Sequence, residues 1–133
     1  MNNLVVTGKR KAAIAKATII GGDGIITINK KPISAYPKLL QFEVSEPLVI
    51  AKHVLGKLDF NIAVNVKGGG VSGQMQAARL AISKAIIAFT KSEEVRQEFL
   101  SYDRNLLIAD TRRKETRKPG DSKARAMRQT SFR

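Results

Sequence analysis

The sequence predicts an α+β protein: a small two-layer sandwich with a mainly antiparallel sheet and helices on one face, plus an extended basic C-terminal tail. Residues 4–20 and 59–67 alternate between the two faces expected of half-covered strands. Apolar side chains recur at steps of three and four from about residue 71 to residue 89, which predicts a long helix. From Arg112 onward clearly apolar residues are few, so this segment lacks the material for a core.

The N-terminal part predicts a β-hairpin. Residues 4–20 form its first strand, and the run Gly21–Gly24 supplies a turn signal. The β-branched residues 25–28 form the returning strand, and the segment 30–32 (Lys-Lys-Pro) interrupts the pattern.

Two helices are expected next. A short helix covers residues 34–40. A longer one has Ser45 as its N-cap, Glu46 and Pro47 in its first turn, and Gly56 at its end.

The second half of the domain gives the clearest periodicity. The strand over 59–67 directs one set of side chains to a covered face: Phe60, Ile62, Val64 and Val66. The helix from about Val71 to Phe89 has its apolar face at Met75, Ala78, Ile82, Ile86 and Phe89, largely opposite Gln76, Arg79, Ser83 and Lys84. Ser92 caps a shorter helix that reaches Phe99, so the predicted order is ββααβαα plus the tail.

The composition excludes several classes of protein. The chain has 133 residues, which suits one domain, and 43% of them are apolar. Cysteine is absent and His53 is the only histidine, which excludes disulfides, thiol catalysis and a Ser-His-Asp triad. Neither a signal peptide nor a membrane-spanning run is visible. The formal net charge of +13 indicates a polyanionic partner, most often nucleic acid.

The charge is concentrated at the C-terminus. Residues 1–103 carry a net charge of +6, and residues 104–133 carry +7. We interpret 1–103 as a globular RNA-binding domain and 104–133 as an extended tail that becomes ordered on a partner. A tail that only improves solubility is the alternative, but its arginines favour bidentate contacts with phosphate.

The glycine-rich run Gly68–Gly70 links a predicted strand to a predicted helix. Three consecutive glycines allow close approach of a ligand to backbone N–H groups at a helix start, which suits a phosphate. With Lys67, Arg79 and Lys84 nearby in the sequence, we interpret that phosphate as one of RNA. A tight turn without a ligand remains the structural alternative.

Two nucleotide-binding motifs match this loop only in part. Gly68, Gly70 and Gly73 fit GxGxxG, but the acids about twenty residues further on begin a helical pattern. Gly68 and Gly73 also have P-loop spacing, yet Gln74 and Met75 replace the required Lys and hydroxyl residue. Nucleotide catalysis is therefore disfavoured.

A second basic cluster, Lys9–Lys11, follows Gly8 in the N-terminal strand. The side chains of a flat strand alternate, so the three cations cannot all face the same way. The alternatives are phosphate contact, which the total charge favours, and an edge strand protected by charge.

These residues coincide with a known family. The run 7–17 (TGKRKAAIAKA) resembles the opening of the small-subunit ribosomal protein S9 family, in its archaeal or eukaryotic-cytosolic form. The run 68–74 (GGGVSGQ), continuing to Ile86, is similar to the family signature, and 110–115 with 124–133 is similar to its tail. The tail departs from the usual pattern at Thr116, Pro119 and Asp121, which thin its positive charge, and at Phe132, where bacterial relatives typically have Lys.

The resemblance implies a non-enzymatic constituent of the small-subunit head, in the cytoplasmic ribosome, with no cofactor or metal. It implies a left-handed βαβ fold shared with the second domain of ribosomal protein S5. It also implies a tail that passes through ribosomal RNA (rRNA) towards transfer RNA (tRNA) in the peptidyl site. The implied partners are small-subunit rRNA, peptidyl-site tRNA and neighbouring head proteins, without a membrane.

Charge and resemblance together assign the candidate residues. The candidates for rRNA binding are Lys9, Arg10, Lys11, Lys67, Gly68, Gly69, Gly70, Gln74, Arg79, Lys84, Arg112, Arg113, Lys114, Arg117, Lys118, Lys123 and Arg125. The candidates for tRNA binding are Arg128, Ser131, Phe132 and Arg133. The alternatives are a free-standing RNA-binding or chaperone-like protein and, less favoured, a phosphotransfer enzyme.

Overall fold

The computed structural model describes residues 3–120, 123–127 and 129–132. Its five strands and three α-helices are β1 (Leu4–Arg10), β2 (Ala13–Gly21), β3 (Ile26–Ile28), β4 (Lys31–Pro32), α1 (Lys38–Leu55), β5 (Phe60–Lys67), α2 (Val71–Thr90) and α3 (Glu93–Tyr102). The sheet order is β1-β2-β5-β3-β4, and every pair is antiparallel except β3 with β5. The prediction of an α+β domain with a mainly antiparallel sheet is confirmed.

The first predicted strand is in fact a hairpin of two strands. β1 and β2 pair from Leu4 opposite Ile19 to Arg10 opposite Ala13, with Lys11 and Ala12 as the loop. Lys11 has a φ of 51°, a left-handed conformation that lets the chain reverse within two residues. The prediction was wrong here because neither loop residue is a usual turn former.

The predicted pairing of residues 25–28 with the first strand is also wrong. β5 lies between β2 and β3, and it pairs antiparallel with β2 and parallel with β3. Asn29 and Lys30, with φ of 49° and 65°, instead turn β3 into the short strand β4. The element order is therefore ββββαβαα.

Helix α1 begins earlier than predicted. It begins at Lys38 and continues through Ser45 and Pro47, so Ser45 is not its N-cap. Pro47 is buried, as are Val44, Leu48 and Ala51 of the same helix, and this burial of apolar surface counters the loss of a backbone donor. The predicted helix over 34–40 is replaced by a 3₁₀ turn, Ile33–Ala35, and the first turn of α1. Gly56 ends α1 as predicted, with a φ of 78°.

β5, α2 and the cap of α3 agree with the sequence prediction. The four predicted inward side chains of β5 are all at most 5% exposed. Ser92 caps α3 by accepting a hydrogen bond from the Val95 N–H at 3.5 Å. The predicted polar face of α2 is wrong at Ser83, which is fully buried, because α1 packs against α2 as well as the sheet does.

The covered face of the sheet and the three helices enclose one core. It is rich in alanine and aliphatic side chains, as the scarcity of aromatics requires. After α3 a 3₁₀ turn, Arg104–Leu106, buries Leu106 completely, and Leu107 packs against the core. Contacts with the domain therefore continue past Asp103, where the sequence prediction placed its boundary.

Candidate nucleic-acid interface

Three basic segments that are far apart in the sequence meet at one end of the sheet. This basic end comprises the β1–β2 turn (Lys9–Ala12), the glycine loop with its preceding lysine (Lys67–Gly70) and the start of the tail (Arg112–Lys114). One groove is lined by the turn and the tail start together. The glycine loop lies against the same turn, since a Cβ on Gly68 would come within 2.6 Å of the Ala12 carbonyl oxygen. The fold thus joins both predicted basic clusters and the glycine loop.

The glycine loop is shaped by its contact with the turn. Gly68 and Gly69 have φ of +79° and +67°, and at Gly68 a side chain would also collide with backbone. Gly70 begins α2 without a side-chain cap, which leaves the first N–H groups of that helix open. The Gln74 amide donates to the Gly68 carbonyl oxygen at 3.1 Å, so this candidate residue holds the loop in shape.

Arg10 is held within the protein. Its Nε donates to Gln76 Oε1 at 2.8 Å, and an Nη lies 3.3 Å from the Asp110 carboxylate. Only 15% of its side chain is exposed. Its neighbours in the cluster are exposed, with Lys9 on the open face of the sheet and Lys11 at the turn. The cluster Lys9–Lys11 is therefore divided: Arg10 points towards the helices, and the two lysines are exposed, as the alternation of side chains along a strand predicts.

Asp110 fixes the point at which the tail leaves the domain. Its carboxylate accepts hydrogen bonds from Arg112 Nε and Nη (2.7–3.1 Å) and from the Arg112 backbone N–H at 3.0 Å. These hydrogen bonds, together with the charge of Arg10, hold the pKa of Asp110 well below its usual range. The same pairing raises the pKa of Arg112. We call Arg10, Asp110 and Arg112 the tail clasp.

Arg79 is a second arginine committed to internal pairs. It bridges Glu46 of α1 and Asp103 after α3, the latter at 3.2 Å, with 16% of its side chain exposed. It thereby joins three parts of the helical layer. Lys84 lies about 21 Å along α2 from Gly70, so the fold does not bring it into the basic end.

Comparison with known proteins identifies the family. The family model described as ribosomal protein S9/S16 matches residues 8–133 of this chain. A protein of Methanococcus vannielii named small ribosomal subunit protein uS9 is 50% identical over 129 residues, which is 95% of each chain. Proteins of the same name from Methanococcus maripaludis strain C7 and Thermoplasma acidophilum are 47% and 44% identical, over 95% and 98% of this chain and 95% and 100% of theirs.

The chain belongs to the ribosomal protein S9/S16 family. It is a small-subunit ribosomal protein, a structural component of a ribonucleoprotein that acts in translation, and not an enzyme. In the part of the chain that the structure describes, no helix is long and apolar enough to cross a membrane.

Beyond Asp110, the described residues of this S9/S16 family member lie in no helix or strand. Arg117, Lys118 and Lys123 are exposed, and Arg125 pairs with Glu115 at 2.5 Å in an exposed ion pair. Ser131 and Phe132 are exposed as well. The candidates Arg128 and Arg133 lie outside the described residues.

Sequence reasoning missed part of the basic surface. Lys16 of β2 is exposed on the open face of the sheet and lines a groove with Lys67 and Gly68. The alternation along residues 13–20 contained the signal, because Lys16 has the parity of the side chains that point away from the core.

Proposed function

We propose that this S9/S16 family member binds small-subunit rRNA through its basic end and tail, and that the tail tip reaches tRNA in the peptidyl site. The convergence of the β1–β2 turn, the glycine loop and the tail start carries this proposal. Seven cations (Lys9, Arg10, Lys11, Lys67, Arg112, Arg113 and Lys114) gather there, with Asp110 as the carboxylate paired to two of them. Such an excess of positive charge matches a phosphate backbone.

Five of the seven cations of the basic end fall into two groups, while Lys9 and Lys67 lie on the open face of the sheet. Arg10 and Arg112 form the tail clasp, so they position the site. Lys11, Arg113 and Lys114 are exposed, and none of them forms an ion pair with another described residue. These three are therefore the phosphate-binding residues that the turn and the tail start contribute.

The glycine loop complements these side chains. A phosphate approaching Gly69 and Gly70 would meet exposed backbone rather than a side chain, beside the positive end of the α2 dipole. The glycine loop lies against Ala12, and the tail start shares a groove with the same turn, so one RNA strand could contact both.

The tail extends the interaction away from the domain. The 23 residues after Asp110 span at most about 80 Å when fully extended, several times the thickness of a small domain. We propose that the domain, packed as far as Asp110, docks on rRNA and that the tail passes through rRNA. The resemblance supplies the tRNA destination, and Ser131 and Phe132 supply exposed groups for it.

A triple variant tests the role of the basic end. Lys11→Gln, Arg113→Gln and Lys114→Gln together should make the slope of log affinity for small-subunit rRNA against log salt shallower by about 2, from about 0.7 per phosphate lost. A triple Gln variant at Lys38, Lys52 and Lys57 is the control, because these exposed lysines lie at or just beyond the ends of α1. Equal slopes for the two variants would contradict the proposal.

Ribosomal binding is tested separately from RNA binding in general. The full chain should co-sediment with small subunits after a high-salt wash. Complete loss of the chain in that wash would indicate a free-standing RNA-binding protein instead.

A further inference from the structure

One face of the sheet is left uncovered by the helices that the structure describes. The side chains on this open face include Lys9, Lys16 and Lys67, all exposed. No acidic residue occurs in any of the five strands that the structure describes. The open face is therefore positive at the end near the β1–β2 turn.

The strand register arranges these lysines in a compact pattern. Lys9, Ile14 and Lys67 form one cross-strand row, and Thr7, Lys16 and Asn65 form the next. Lys16 is a diagonal neighbour of Lys9 and of Lys67, at the roughly 7–8 Å typical of such pairs. Adjacent phosphates of one strand could thus be held by different lysines.

A groove runs along the part of these rows that β2 and β5 contribute. Its lining includes Ile14, Lys16, Asn65, Lys67 and Gly68, so it runs up to the glycine loop of the basic end. Ile14 is 44% exposed and gives the groove an apolar floor. Asn65 gives it an amide that can both donate and accept hydrogen bonds.

We propose that this groove holds the sugar–phosphate backbone of an RNA strand that continues from the basic end. Lys16 and Lys67 in the groove, with Lys9 beside it on β1, bind phosphates, Ile14 contacts a ribose or base, and Asn65 bonds a 2′-hydroxyl or base edge. This inference rests on the proposed function, because it adds a second surface to the same RNA partner.

The charge of the open face favours RNA over an apolar protein surface. Among the described residues, none of the three lysines forms an ion pair. An apolar protein surface would leave three buried ammonium groups without partners, at high cost. The phosphates of a single RNA strand can pair with all three ammonium groups.

The test uses the full chain with Lys16→Gln and Lys67→Gln. Affinity for small-subunit rRNA should fall about tenfold, and the salt slope should become shallower by about 1.4 for the two phosphates lost. The matched control is Lys52→Gln with Lys57→Gln, two exposed lysines near the C-terminal end of α1. Unchanged circular dichroism should show that both variants fold.

The outcomes separate the two proposals. If the wild type binds rRNA and the open-face variant matches the control, the open-face inference is overturned and the basic end stands. If the wild type does not bind rRNA, both proposals fall.

Chemical acetylation of the wild-type chain gives an independent readout. In the rRNA complex, Lys16 and Lys67 should be acetylated more slowly than in the free chain, while Lys52 and Lys57 should not change. Equal rates for Lys16 with and without rRNA would overturn the inference. Zero-length carboxyl–amine cross-linking of Lys16 to an acidic protein in the intact subunit would also overturn it, in favour of a protein partner.

Discussion

At the scale of single residues, the surroundings of a cation decide its role. Arg10 and Arg79 were both predicted to bind rRNA, and the fold places each beside acidic side chains with most of its surface covered. Breaking such a pair leaves a poorly solvated charge behind. We therefore expect substitutions at these arginines to act on stability and tail position before they act on RNA contact.

Asp110 gives the residue-scale prediction. Asp110→Asn removes the acceptor charge of the tail clasp, so the variant should have a lower free energy of unfolding than the wild type at pH 7. Because folding lowers the pKa of this carboxyl, its contribution is complete above the unfolded value of about 3.9 and declines as pH falls below it. Urea unfolding from pH 7 to pH 2 should show the difference constant at first and then shrinking.

The control for this prediction is Asp23→Asn. Asp23 lies in an exposed turn and forms no ion pair with the residues that the structure describes. Asp23→Asn removes the same charge, and its effect on the free energy of unfolding at pH 7 should be close to zero. A wild type no more stable than the Asp110 variant at pH 7 would refute a stabilising clasp.

At the scale of elements, β1 packs tightly against α2 at Gly8. Gly8 faces the helix, and a Cβ there would collide with the Ala77 carbonyl and lie 2.6 Å from the Ala81 nitrogen. Gly8→Ala must push β1 off the helix, so we expect the free energy of unfolding to fall by about 1–3 kcal/mol. Thermal or urea unfolding measures this.

Gly21→Ala is the matched control, because a Cβ at the end of β2 meets nothing within 4 Å. Its effect should stay within about 0.5 kcal/mol. Equal losses for the two variants would mean that glycine flexibility, rather than the collision, is responsible.

Local periodicity explains which elements could be predicted. β5 and α2 were predicted correctly because each has a hydrophobic periodicity that repeats several times along the element. The β1–β2 loop was missed because Lys11 adopts a left-handed φ without being Gly or Asn. The parallel pairing of β3 with β5 could not be read from the sequence either, since it joins strands more than thirty residues apart.

The positive charge of the candidate site could be predicted from the sequence, but the ion pairs that neutralise some of its cations could not. The excess of Lys and Arg near Lys11, Gly68 and Arg113 was visible in the sequence, and the fold brings those segments together. Which cations are neutralised depends on acids far along the chain: Asp110 lies 100 residues after Arg10.

At the scale of the whole molecule, the charges are separated by layer. Arg10 and Arg79 pair with acids on the helical side, while the open face of the sheet has lysines and no acid. The basic end lies where the sheet and the tail meet. Part of the unpaired positive charge thus forms a path from the open face to the tail.

The tail tip gives the whole-molecule prediction. Deleting residues 130–133 should leave assembly of small subunits nearly intact and weaken peptidyl-site tRNA binding, because the domain holds the protein in place and the tip contributes one ring and one guanidinium. Stacking or charge contact of this kind is worth about 1–3 kcal/mol at most. Peptidyl-site tRNA affinity is measured on subunits that carry the shortened chain.

Two results would contradict this prediction. Unchanged tRNA affinity and reading fidelity would leave the tip without a functional role. Failure of subunits to assemble would show that the tip anchors rRNA instead.

The central position of β5 also determines when the protein can fold during synthesis. Four of the five strands lie before residue 33, yet without β5 they are two separate hairpins with no hydrogen bonds to each other. Isolated two-stranded hairpins are marginal in water, so a nascent chain gains little from them. Folding must wait until residues 60–67 emerge, and a chain stalled before that point exposes the apolar face of its strands to chaperones and proteases.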